Sequence, residues 1–143
     1  MTINPRAVRM LREARARMRD VAAAEHTVAQ TGRDAAAQRL AAEHDQLSAT
    51  LDGASTQLAN ARSVHDLGQV HALVDSHHDA ITAASKSHAD ASAAADNTAT
   101  RLRDRARQLR TAERLVDMSD RIRAERDAKL EQRTTDDIGG RRR

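Results

Sequence analysis

Side chains able to pack against a neighbour recur every seventh residue through the second half of the chain. Leu67, Val74, Ile81, His88, Ala95, Leu102, Leu109 and Val116 form one such row. Val70, His77, Ala84, Ala91, Thr98, Arg105, Ala112 and Ser119 follow each of them by three residues. Alternating steps of three and four keep one stripe of an α-helix facing a partner helix, so this pattern predicts a long coiled-coil helix. From Ala83 to Ala99 the stripe is small and polar. Little apolar area is buried per layer there, so this stretch is expected to be the softest.

The first half is less regular. Ala7, Leu11, Ala14, Met18, Val21 and Val28 share one stripe, broken by Glu25. Ala37, Leu40, His44, Leu47, Leu51, Ala54, Leu58 and Ala61 share another, and the two differ in phase around Gly32. The expectation is a stutter at that glycine. Gly32 and Gly53 each weaken a helix by about 1 kcal/mol relative to alanine.

Pro5 suits a first helical turn, with Asn4 as its cap. Ser63 and Asp66 have the spacing of a capping box, with Asp in place of the preferred Glu. These signals predict one helix over about 5–59, a turn at about 60–63 and a second helix over about 64–134. Asp52-Gly53 is the fallback position for the turn. The tail from 135 to 143 contains Gly139-Gly140 and is expected to fray. The predicted fold is all-α, a single long two-helix antiparallel coiled-coil hairpin.

Composition strengthens this picture. Ala, Arg, Leu, Glu and Lys make up 71 of the 143 residues, and the chain has no Phe, Tyr, Trp or Cys and one Pro. Half the chain is therefore helix-forming, as in long helices and coiled coils. Without cysteine there are no disulfides and no thiolate metal sites. No apolar run approaches the roughly 18 residues of a membrane helix, and the N-terminus has no signal-peptide core. A cytoplasmic location is the expectation.

The net charge of +3 conceals an uneven distribution. Residues 1–39 carry eight arginines against four acids, and 101–143 carry thirteen arginines and one lysine against nine acids. Residues 40–100 carry Arg62 and Lys86 against eight acids. A hairpin would gather the two basic segments together and leave the acidic, histidine-bearing segment at the turn. Arg12, Arg15 and Arg19 lie near one helical face, as do Arg103, Arg107 and Arg110. Glu13, Asp20, Asp104, Glu113, Asp117 and Asp120 are interleaved with them, and no aromatic platform exists for bases to stack on. Nucleic acid is not an expected partner.

Among the histidines, His71 and His78 share a face with Asp75 at spacings a metal would accept. Nothing completes the ligand set, so neither a metal nor a cofactor is expected. A glycine-rich phosphate loop, a nucleophile–base arrangement and an HExxH motif are all absent. The chain is not expected to be an enzyme. A protein-contacting coiled coil is the reading the residues give by themselves, with a structural scaffold as its general form and a basic nucleic-acid-associated rod as the lesser alternative.

The segment from Arg107 through Ala112-Glu113-Arg114-Leu115-Val116 and Arg121-Ile122-Arg123 to Ile138 resembles the last helix of the FliJ/YscO family of type III secretion stalk proteins. Its ending, Asp136-Asp137-Ile138 followed by Arg141-Arg142-Arg143, is similar to the family's acidic–apolar–basic close. Leu67 to Ile81 resembles the segment that follows the family's turn. The family often has aromatic residues near these positions, and this chain has none.

The resemblance implies a non-enzymatic central stalk of a flagellar or related export apparatus, peripherally associated with the inner membrane. It implies a hexameric export ATPase and a membrane-embedded export gate as partners, and leaves room for export chaperones. Leu73, His77, Ala80 and Ile81 would face the gate. Leu11, Met18, Leu109, Arg114, Val116, Arg121 and Ile122 would face the ATPase. Each of these residues also has an ordinary place in a helix seam or on a solvated surface.

Overall fold

The computed structural model describes residues 4–60 and 63–140, with side chains described as far as Asp136. Two α-helices, α1 (Pro5–Asn60) and α2 (Val64–Gly140), account for these residues apart from Asn4 and Ser63. There is no strand among them. Of the turn expected at 60–63, Asn60 is the last residue of α1, Ser63 directly precedes α2, and Ala61 and Arg62 lie outside the described residues. Asp52-Gly53, the fallback turn, is inside α1. Helix α2 continues to Gly140, beyond the end expected near 134. Arg141, Arg142 and Arg143, and the side chains of Asp137 and Ile138, lie outside the described residues.

Both helices begin with a cap written in the sequence. Asn4 Oδ1 accepts from the amides of Arg6 (3.0 Å) and Ala7 (3.4 Å), and Pro5 fills the next position, where no amide hydrogen is needed. At α2 the amide of Ser63 donates to Asp66 Oδ2 (3.2 Å) and the amide of Asp66 donates back to Ser63 Oγ (3.2 Å). That reciprocal pair is a capping box, made with aspartate.

Contacts divide the chain into two compact units. Unit 1 is Met1–Ala23 with Arg101–Arg143, and unit 2 is Ala24–Thr100. In unit 1, Arg9 meets Asp120 (3.2 Å), Arg15 meets Gln108 (2.5 Å) and the Arg105 guanidinium reaches the Met18 sulfur (3.8 Å). In unit 2, His26 meets Thr98 (3.1 Å) and Thr50 meets His77 (3.0 Å). Within each unit, partners on α2 fall in number as those on α1 rise, so the pairing is antiparallel.

The α2 stripe is the one expected. Val70, Val74, His77, Ile81, Ala84, His88, Ala91, Ala95, Thr98, Leu102, Arg105, Leu109, Ala112, Val116 and Ser119 are buried or half-buried, while Leu67 is exposed. The α1 stripe corrects the sequence reading. The seam runs Pro5, Val8, Arg15, Ala22, His26, Ala29, Arg33, Ala36, Leu40, Glu43, Leu47, Thr50 and Ala54, with exposed Arg12 and Arg19 at its two vacant steps. This is one register from Pro5 to Ala54, and no stutter occurs at Gly32. Of the residues expected to pack, Leu40, Leu47 and Ala54 are in the seam. Ala37, His44, Leu51 and Leu58 are exposed, and so are Ala7, Leu11, Ala14, Met18, Val21 and Val28. Ala61 lies outside the described residues.

The physical reason lies beside the seam. Ala16 and Ala23 of α1, with Ser92, Ala99 and Ala106 of α2, are half-buried one position after seam residues. Small side chains there let the helices turn toward one another on that side and approach closely. The rotation draws Arg15 and Ala22 inward and swings Leu11, Met18 and Val21 out. Arginine tolerates such a position because its stem packs while its guanidinium reaches water.

The buried apolar residues among those described are all alanine: Ala22, Ala36, Ala54, Ala95 and Ala112. Seam polar groups are satisfied locally. Thr98 Oγ1 donates to the Ala95 carbonyl (2.9 Å), which uses its only hydrogen. The same Thr98 oxygen lies 3.1 Å from His26 Nδ1 across the seam.

Candidate partner-binding surfaces

Unit 1 is the basic unit. Its first segment has six arginines against two acids, and its second has thirteen arginines and one lysine against nine acids, a net of +9. Unit 2 has three arginines and one lysine against ten acids, a net of −6, and holds all seven histidines. The two units thus present opposite fields to their surroundings, and unlike charge favours unlike partners.

In unit 1 a groove of about 1030 Å³ opens between the start of α1 and the later part of α2. Arg6, Arg9, Arg123 and Arg126 surround apolar Met10, Ile122 and Leu130, with Glu13 and Asp127 as the acids. Met10 and Leu130 are 62% and 60% exposed, much more than seam residues. A groove with an apolar floor and guanidinium walls suits a protein surface carrying apolar and acidic groups.

The residues expected to face an ATPase divide into two sets. Leu11 and Met18 are exposed on the outer side of α1, and Arg114 and Arg121 are exposed on α2 around a depression of about 290 Å³ shared with Asp117 and Met118. Leu109 and Val116 are in the seam, half-buried and turned toward α1. Ile122 is half-buried in the apolar floor of the groove.

The residues expected to face a gate divide in the same way. His77 and Ile81 are half-buried seam residues, His77 with Nε2 3.0 Å from Thr50 Oγ1. Leu73 is exposed and Ala80 half-buried on the flank of the seam. Leu73 also lines a depression of about 490 Å³ with Thr56, Gln57, Asn60, Asp66, Gln69 and Val70.

Exposed Leu115 and Met118 were not singled out from the sequence. Their signal is a 3–4 spacing, Leu115–Met118–Ile122, one residue out of step with the seam. The histidine cluster gives an ion-pair geometry, His71 Nε2 to Asp75 Oδ2 at 3.3 Å. No group of three or more metal-ligating side chains is assembled among the described residues. Among them, no helix is long and apolar enough to cross a membrane.

Long helices paired by heptads, with charged grooves and exposed apolar residues on their flanks, define a coiled-coil protein. The chain belongs to the FliJ family: the family model described as flagellar FliJ protein matches residues 6–142, nearly its whole length. It is accordingly a component of the flagellar export apparatus. No curated protein and no solved structure matches it.

Proposed function

We propose that this chain is a non-enzymatic stalk of the flagellar export apparatus that couples the export ATPase to the export gate. Unit 1 engages the hexameric ATPase, and unit 2, which carries the turn, engages the gate. It works on the cytoplasmic side of the inner membrane and takes export chaperones as further partners. The observation that carries this reading is the division of one FliJ-family chain into a +9 unit with an arginine-walled groove and a −6 unit with a separate depression. One chain with two unlike surfaces can hold two different partners at once.

The test is binding of the full chain to the flagellar export ATPase of the same organism. Charge reversal at Arg123 and Arg126 should weaken that binding at least tenfold and leave binding to the gate protein's cytoplasmic part intact. Leu73→Glu should do the opposite. Loss of both interactions in either variant, or of neither in both, would refute the assignment of partners to units.

A further inference from the structure

With the seam positions of each helix written a and d, the positions just before them are g and c. In unit 1 the g and c positions of α1 are Ala7, Leu11, Ala14, Met18 and Val21. On α2 the same positions include polar Asp104, Gln108 and Thr111, then half-buried Ile122, and Leu115 and Met118 are their exposed apolar members. In an antiparallel pair the g positions of both helices border the same side of the seam. The contact of Met18, a g residue, with Arg105, which also bonds Gln108 at a g position of α2 (3.1 Å), shows this side directly. Leu11, Met18, Val21, Leu115 and Met118 are 40, 46, 59, 36 and 46% exposed. Together they expose on the order of 400 Å² of side chain, the size of patch that monomeric proteins reserve for interactions.

We infer that this g/c face of unit 1 is a second coiled-coil seam that receives one amphipathic helix with acidic flanks from another protein, making a three-helix bundle. Two observations choose the occupant. The exposed α1 residues keep heptad spacing over two turns of the repeat, which is the geometry that a helix reads and an irregular loop does not. The edges of the face are cationic: Arg17 borders it on α1, and Arg107, Arg114 and Arg121 recur every seventh residue along its α2 border.

Arg107 is paired with Asp104, whereas none of the ion pairs among the described residues uses Arg17, Arg114 or Arg121. Glu113 and Asp120 adjoin the last two in sequence without pairing with them, and Asp117 shares their depression.

A second copy of the chain fits poorly. Face to face, two copies would set +9 against +9. Unit 2 has the complementary sign but no matching stripe, because its α1 g positions are Glu25, Gly32, Arg39, Gln46 and Gly53. The inference rests on unit 1 being a partner surface and is independent of which protein the partner is.

The test uses the full chain and two synthetic helical peptides that share one leucine heptad seam, one flanked by glutamates and one by lysines. Fluorescence anisotropy of the labelled peptides should show the glutamate peptide binding at least tenfold more tightly. Met18→Glu with Leu115→Glu should weaken it at least tenfold while circular dichroism shows unchanged helicity. Both positions are exposed, so the hairpin has no packing reason to unfold. Arg114→Glu with Arg121→Glu, which leaves the apolar residues in place, should erase the preference for the glutamate peptide, and Leu51→Glu at an exposed position in unit 2 should change nothing.

Equal binding of the two peptides, or none, would overturn the inference. So would a chain dimer in sedimentation that Met18→Glu converts to monomer, since the face would then belong to a second copy. Because no ATPase is present, failure here is separate from failure of the ATPase assignment.

Discussion

Replacing the helical glycines of unit 2 with alanine should stabilise the protein by an amount that can be worked out beforehand. Gly32 and Gly53 lie inside α1 and Gly68 inside α2, all exposed, and all within residues 24–100. None of the described glycines has positive φ, so an L side chain fits their backbones. A Cβ built at each meets nothing within 4 Å.

The usual reasons for a buried or strained glycine are therefore missing, and what remains is the entropy that glycine loses when it becomes helical. Alanine should gain about 1 kcal/mol at each site, largely by restricting the unfolded chain. With no shared side-chain neighbour, the three gains should add to about 2–3 kcal/mol. For a unit of this size, about 1 kcal/mol moves the melting temperature by roughly 4–8 °C, so the triple variant should melt about 10–20 °C higher.

Circular dichroism on heating gives the midpoint, and hydrogen exchange identifies the unit that gained protection. If the units melt separately, only the transition of residues 24–100 should move. A triple variant that melts at the original temperature or below it, with full helicity, would refute the reasoning. It would mean that these glycines contribute something to the isolated chain that their open surroundings do not show.

The α1 register is tested by a pair of leucines. Leu47→Ala, in the seam, should cost about 1–2 kcal/mol in urea unfolding, a part of the cost at a fully buried site, whereas Leu51→Ala, 49% exposed, should cost under about 0.5 kcal/mol. Ala95→Leu places three extra carbons at a position 3% exposed, and overpacking there should cost about 1–3 kcal/mol by the same assay. Ser63→Ala breaks the reciprocal cap of α2 and should cost about 1 kcal/mol, with faster hydrogen exchange confined to the first turn of that helix.

The α2 seam was legible because both of its rows keep step and nothing competes with them. Its weak members, His77, His88, Thr98 and Arg105, occupy seam positions because Val74, Ile81, Leu102 and Leu109 fix the phase around them. The caps were legible because Asn4, Ser63 and Asp66 act on amides within a few residues. The α1 seam was not legible. An apolar stripe there says which face of the helix avoids water, and not which neighbour covers it. Leu11, Met18 and Val21 looked like the inner face because arginines at 12, 15 and 19 looked like the outer one. The small residues flanking the seam decided otherwise. All but Ser92 are alanine, and their seven-residue spacing does not stand out in a chain where alanine is the commonest residue.

That one-residue rotation bears on function. A hairpin that buried Leu11, Met18 and Val21 would have a stronger core and a blank outer surface. Among its described apolar residues only alanines are buried, and Met10, Leu11, Met18, Val21, Leu115, Met118 and Leu130 are left exposed in unit 1 alone. Burying alanine removes one methyl group from water, while each exposed leucine or methionine withholds several carbons from the internal core, at roughly 0.8 kcal/mol per carbon. Much of the hydrophobic free energy in unit 1 is therefore unrealised within the chain and becomes available on binding. The arginines follow the same logic, because at the seam edge and along the flanks they keep the surface around these apolar residues hydrated and would pair with the acidic helix inferred above. A component that must join a larger machine gains affinity from such an arrangement, at the expense of stability when alone.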